Sequence, residues 1–163
     1  MKSALIAASM AMSLGLLMAG GDLTPVAPIQ EAATNCSSDE VFVEKDTQLM
    51  WQDQKYTDKE DGAYKRERSY GKAGNWKHAM HYCNSLDYAG YTDWRLPTSD
   101  ELQHVHRIFG EEFRYNRGDD FWSSTPTVEH KYDVVYAADG YIYQRKPSQS
   151  NYIRCVRCIA PAK

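Results

Sequence analysis

The sequence predicts an α+β domain with two helices and an antiparallel sheet. Two helical patterns lie together in the middle of the chain, β-type runs flank them, and strand and helix do not alternate along the order. Four cysteines, Cys36, Cys83, Cys155 and Cys158, promise covalent bracing of this small core.

The N-terminus reads as a cleavable secretory signal over residues 1–21. Lys2 supplies positive charge, and Ala4 to Ala19 is apolar except for two serines. That run is shorter than the ~20 apolar residues of a membrane-spanning helix, so no transmembrane span is expected once the signal is removed. Leu16-Leu17-Met18-Ala19-Gly20-Gly21 also resembles a lipoprotein box in which Gly21 stands where the acylated cysteine would be. The expectation is therefore a periplasmic or secreted protein, and a lipoprotein only if Gly21 replaces a native cysteine.

Removing residues 1–21 leaves 142 of 163 residues, enough for one domain and too few for two ordinary ones. One lysine is lost, so 18 basic residues face 22 acidic ones, a formal charge of −4. No global field favours nucleic acid. Twelve tyrosines and four tryptophans point to a core built on rings.

Residues 22–35 carry two prolines and no periodic apolar pattern, which reads as a linker before a domain over 36–160. Val41-Phe42-Val43 and Leu49-Met50-Trp51 predict an opening hairpin. Gln52 to Gly74, with mixed charge and little to bury, reads as a solvated loop. The first helix is expected from about Trp76 to Leu86, capped by Asn75, with Trp76, Ala79, Met80, Cys83 and Leu86 on one face. The second opens on the capping box Thr98-Ser99-Asp100-Glu101 and carries a stripe of Leu102, Val105, Ile108 and Phe109. After a polar loop, β-type runs follow at Phe121–Ser124, Tyr132–Tyr136, Tyr141–Arg145 and Tyr152–Cys158.

In an oxidising compartment the four cysteines are expected to form two disulfides. The CxxC spacing of Cys155 and Cys158 leaves zinc or thiol redox chemistry as the alternative. That alternative is weakened because the pair closes a β-type run instead of opening a helix, where a thiol pKa would be depressed. No catalytic residue, metal or cofactor is expected. Ser123 and Ser124 lack nucleophile-elbow glycines, no HExxH is present, and Asp119-Asp120 falls short of the oxygen set calcium prefers. His78 and His81 lie one helical turn apart, whereas His104 and His106 diverge by about 200°; all four read as exposed helix histidines.

Binding is the better-supported role. From Lys131 to Lys163 six basic residues face Asp133 and Asp139. Period-two alternation puts Tyr141, Tyr143 and Arg145 on one side of their strand, with Arg154 expected nearby. Aromatic faces beside guanidinium groups suit sugar rings and anionic substituents. The expected partner is a glycan or other anionic polymer of the envelope, or else an envelope protein.

Several blocks then match one family in order: Trp76 with Ala79, Tyr82-Cys83, Ala89 to Thr98, Glu101-Leu102, Phe121 to Thr125, and Arg154 to Arg157. Over about Val41 to Cys158 the chain resembles the Lcl C-terminal domain family, named for a collagen-like adhesin of Legionella. The resemblance implies a compact fold similar to C-type lectins and formylglycine-generating enzymes, here with a twisted antiparallel sheet. It also implies a secreted or surface setting and a Cys83–Cys155 bridge, leaving Cys36 and Cys158 as the second pair. From residues alone three connectivities stay open. The named member binds sulfated glycosaminoglycans with the help of a collagen-like repeat, and this chain has no Gly-X-Y stretch. Within the blocks, Trp76, Trp94 and Trp122 are expected to be structural. Pro97 holds Arg95-Leu96 extended before the second helix, and Arg95 is expected to tie its loop through Asp93 or backbone.

Overall fold

A computed structural model describes residues 40–159. The signal, the linker, Gly21 and Cys36 lie outside the described residues. The opening hairpin is present: β1 (Val41–Glu44) pairs antiparallel with β2 (Leu49–Gln52), Phe42 opposite Trp51.

The segment expected to be a loop holds a helix, α1 (Asp58–Lys65), followed by the short strand β3 (Ala73–Gly74). Its signal is a second capping box, Thr57-Asp58-Lys59-Glu60, of the kind recognised at Thr98. Apolar periodicity could not reveal α1, because what anchors it is a buried charge. The Glu60 carboxylate accepts from Thr57 N at 2.7 Å and Lys72 N at 2.7 Å, and pairs with Lys72 Nζ at 3.0 Å. Gly71 lets the chain approach so closely: its φ is +52°, and a Cβ there would overlap Glu60 Oε1.

The two expected helices are α2 (Trp76–Asn84), capped by Asn75, and α3 (Ser99–Phe109), capped by Thr98. On α3, Leu102 and Val105 are buried as expected. Ile108 is not; it is 61% exposed, and His106 takes the inward position instead. The helix axis is rotated so that 102, 105, 106 and 109 face the sheet, a spacing equally compatible with helical period.

Two sheets form where one was expected. The first has the order β1-β2-β8 and the second β3-β7-β4-β5-β6. Here β4 is Asp120–Pro126, β5 Tyr132–Tyr136, β6 Tyr141–Arg145, β7 Asn151–Tyr152 and β8 Val156–Cys158. All pairings are antiparallel except β4 with β7, where Phe121 meets Tyr152 in parallel. The run expected as one strand over Tyr152–Cys158 is therefore split, its first part in one sheet and its last in the other. Residues 151–157 are all buried across the division.

One apolar cluster gathers Trp51, Leu102, Val105, Phe113, Phe121, Val135 and Val156; another gathers Ala79, Trp94, Leu96, Trp122, Val134 and Ile153. All four tryptophan N–H groups find acceptors, as partly or fully buried indoles require. Trp51 donates to Glu44, Trp76 to Ser123 O, Trp94 to Tyr88 O and Tyr91 O, and Trp122 to Gly74 O at 2.7 Å.

Cys83 on α2 is bonded to Cys155, 72 residues later. Cys158 is exposed and carries no disulfide among the described residues. The chain-entropy relation values a bridge of this span at about 4 kcal/mol. Replacing Cys83 and Cys155 together with alanine should lower unfolding free energy by about that amount, read as a lower urea midpoint with a slope equal to or steeper than the parent's, since the unbridged unfolded chain exposes more surface. An unchanged midpoint would show that the bridge does not constrain the unfolded chain.

Candidate functional site

The sheet register builds the candidate face. Strand β6 is an edge strand, and its pairing with β5 sets Tyr141 opposite Tyr136, Tyr143 opposite Val134 and Arg145 opposite Tyr132. Directly opposed residues project from the same side of a sheet. Tyr141 is 63% exposed and Tyr136 37%, while Tyr143 is half-buried. The rings of Tyr141 and Tyr143 lie 6.3 Å apart at 24°, close to parallel.

Arg145 closes one end of this row. Its Nη2 donates to Asp120 Oδ2 at 2.6 Å and to Tyr143 Oη at 3.2 Å. Burial pushes the Tyr143 phenol up to about 12, and the bond to Asp120 adds to the rise while Arg145 opposes it. The phenol stays protonated. Since Arg145 is paired with a buried carboxylate, the face offers rings and hydroxyls more than net positive charge.

Arg154 does not join this face. It is 1% exposed, its guanidinium lies 3.8 Å from the Phe113 ring centroid, and Nη2 donates to Tyr115 O at 2.6 Å. Its neighbours Ile153 and Cys155 are equally buried, so the chain passes inward here and carries the arginine with it.

The blocks that suggested a family can now be placed. Trp94 and Leu96 enter the core, and the Pro97 carbonyl accepts from the Ser124 N–H at 2.7 Å. Arg95 is tied differently from expectation: it forks onto Glu101 at 2.8 and 2.6 Å, and its backbone pairs with Val156. Asp93 instead accepts from Arg157 at 2.7 and 3.1 Å, which holds the carboxyl below its usual range. Glu101 sits where both its own helix cap and Arg95 can use it, whereas Asp93 faces the neighbouring strand β8. The Lcl C-terminal domain family matches residues 40–157. The chain belongs to that family.

No curated protein matches the chain. Among solved structures it is similar to the Yersinia pseudotuberculosis adhesin InvE, at 14% identity and TM-score 0.48 over 72% of this chain. The chain spans about a third of that structure, 34%. It is also similar to botrocetin, alone (9% identity, TM-score 0.46) and bound to a mutant von Willebrand factor A1 domain (9%, 0.44). Each botrocetin match covers 73% of this chain and 96% of the other. Membership in the Lcl family together with the disulfide points to an extracytoplasmic setting. No helix among the described residues is long and apolar enough to cross a membrane.

The histidines are not uniformly exposed. His81 and His104 are, His104 Nε2 lying 2.9 Å from the buried Glu44, but His78 is half-buried with Nε2 2.9 Å from Gly71 O. Among the described residues no three His, Cys, Asp or Glu side chains are grouped to hold a metal ion. His106 is 6% exposed between the rings of Phe113 and Phe121, and neither ring nitrogen has a partner. Burial, with Arg154 adding to it, lowers its pKa from 6.5 to about 3.

This depression has a definite consequence for stability. The unfolded chain takes up a proton as pH falls through 6.5, while the folded chain does so only near 3. Stability contributed by neutral His106 is complete above 6.5 and is lost as pH falls toward 3. Unfolding free energy should be about 3 kcal/mol lower near pH 4.5 than near pH 7.5, measured by urea denaturation. A His106→Leu variant should remove most of that slope; a slope unchanged by the substitution would assign it to other groups.

Proposed function

We propose that this domain is an exported, non-catalytic binding module that recognises a glycan through the tyrosine face of β5 and β6. The observation that carries the reading is the near-parallel pair on edge strand β6, exposed Tyr141 beside half-buried Tyr143, with exposed Tyr136 opposite Tyr141 on β5. A tyrosine presents a broad apolar ring with a polar tip, which suits the C–H face and the hydroxyls of a sugar together. The pairing of Arg145 with Asp120 favours recognition by stacking over attraction of a polyanion. Periplasmic and fully secreted settings both agree with an oxidised Cys155.

Two other readings differ in what they require. An oxidase of the formylglycine-generating kind needs reduced cysteines, and Cys155 is bonded to Cys83 instead. A protein partner would use the same exposed rings and the open edge of β6, without preference for sugar.

A glycan array probed with the oxidised protein, followed by calorimetry on the best ligand, tests the proposal. Tyr141→Ala and Tyr143→Ala should each weaken binding at least about fivefold, the equivalent of about 1 kcal/mol. Arg145→Ala should act more on stability, because it strands the buried Asp120 without its cation. Retention of an envelope protein but of no glycan would replace the proposal with the protein-partner reading.

A further inference from the structure

A small basic cavity lies away from the tyrosine row, between the segment after β2 and the loop before β4. It encloses about 220 Å³ and is lined by Lys55, Tyr56, Arg114, Tyr115, Asn116 and Arg117. Three lining residues are cations and none is an acid. Lys55 and Arg114 are exposed, and among the described residues no carboxylate lies within ion-pairing distance of either.

The walls are fixed by buried polar groups. Asp53, 5% exposed, accepts from the backbone N–H groups of Arg114 at 2.7 Å and Tyr115 at 2.9 Å, clamping one loop to the other. Asn116 bridges Gly110 O and Arg117 N. Arg117 is oriented by Asp61 at 3.0 Å, its guanidinium lies 5.5 Å from the Tyr56 ring centroid, and its Nε is buried without a partner. Behind the wall stands Arg154, bonded to Tyr115 O, with Nε and Nη1 both unpartnered. A buried, incompletely satisfied guanidinium one layer behind three lining cations raises the positive potential of the space in front of it.

We infer that this cavity binds a phosphate group carried on a small molecule. Drug-sized ligands occupy roughly 300–1,000 Å³, so a cavity of about 220 Å³ suits one ionic group and its nearest atoms, not a length of polymer. Arginine forks and a lysine match phosphate oxygens in geometry and charge. With Arg117 already shared with Asp61, the two cations without a carboxylate partner, Lys55 and Arg114, match a phosphate monoester, which carries close to two negative charges above its second pKa of about 6, better than a singly charged sulfate ester. The inference is independent of the glycan reading, since it shares no lining residue with the tyrosine face.

The test is calorimetry of the purified protein near pH 8 with inorganic phosphate, glucose 6-phosphate and glucose 6-sulfate. Phosphate and the sugar phosphate should bind, and the sugar sulfate more weakly than the sugar phosphate. A Lys55→Ala/Arg114→Ala variant should bind about tenfold less tightly or worse, the loss of at least one charged hydrogen bond, with its melting unchanged when no phosphate is present. A Lys59→Ala/Lys77→Ala variant, with the same change in net charge on exposed residues elsewhere, should bind as the parent does. Absence of phosphate binding at millimolar concentration, equal loss in both double variants, or tighter binding of the sulfate ester would each overturn it.

Discussion

The fold depends on one extended segment belonging to both sheets. Residues 151–158 supply β7 to the larger sheet and β8 to the smaller, and between them Ile153, Arg154 and Cys155 run through the interior. Backbone bonds fasten every stage: Ile153 N to Lys72 O at 2.9 Å, Gln52 N to Cys155 O at 2.9 Å, and Val156 with Arg95 in both directions at 2.9 Å. The disulfide to α2 closes the remaining side. A chain so placed can form only after the hairpin, α2 and β4 are near one another, because its partners come from 31 residues upstream, at Phe121 opposite Tyr152, to 109 residues upstream, at Leu49 opposite Cys158. The bridge thus adds its constraint where the loop-closure entropy is large.

That threading also explains how charge is used. Arg154, Arg157 and Arg95 cluster around the segment, but each is absorbed by the fold: onto Tyr115 O and the Phe113 ring, onto Asp93, and onto Glu101. Glu60 and Lys72, both about 4% exposed, do the same for α1. A buried pair of this kind contributes little net stability relative to apolar packing, yet losing one partner is severe. Its use here is positional, since Glu60 joins a helix cap to the strand that receives β7. What remains for function is the set of groups the fold does not consume, exposed tyrosines on β5 and β6 and the unpaired cations Lys55 and Arg114.

Much of this was legible in the sequence where local rules act alone. The bounds of β5 and β6, the caps Asn75 and Thr98, the inward Cys83 and the alternation of Tyr141, Tyr143 and Arg145 all follow from period and side-chain chemistry over a few residues. Four features did not. Helix α1 was hidden because composition outweighed its Thr57–Glu60 cap; the split at Ile153–Cys155 was hidden because a buried continuous run looks the same whether it serves one sheet or two. Arg154 was misplaced for a related reason: charge predicts exposure, and only the aromatic walls of Phe113 and Phe121, distant in sequence, reverse that expectation. The basic cavity was invisible too, because Lys55 and the Arg114–Arg117 loop are brought together by tertiary bonds, Asp53 to the Arg114 and Tyr115 N–H groups foremost.

The placement of acids beside the two cationic groups finally limits what ligand the surface can accept. Arg117 is held by Asp61 and Arg145 by Asp120, and Asp119 is near enough to feel both carboxylates. Burial, the neighbouring Asp120 and Asp61 raise the Asp119 pKa, while Arg117 and Lys65 oppose that rise. A long polyanion drawn to Arg117 and Arg145 together would also meet Asp61, Asp119 and Asp120, and like charge at close spacing is unfavourable. A neutral sugar chain on the rings and a single charged group in the cavity meet no such barrier. By pairing with Arg145, Asp120 leaves the tyrosine row without the net positive charge that Lys55 and Arg114 keep at the cavity.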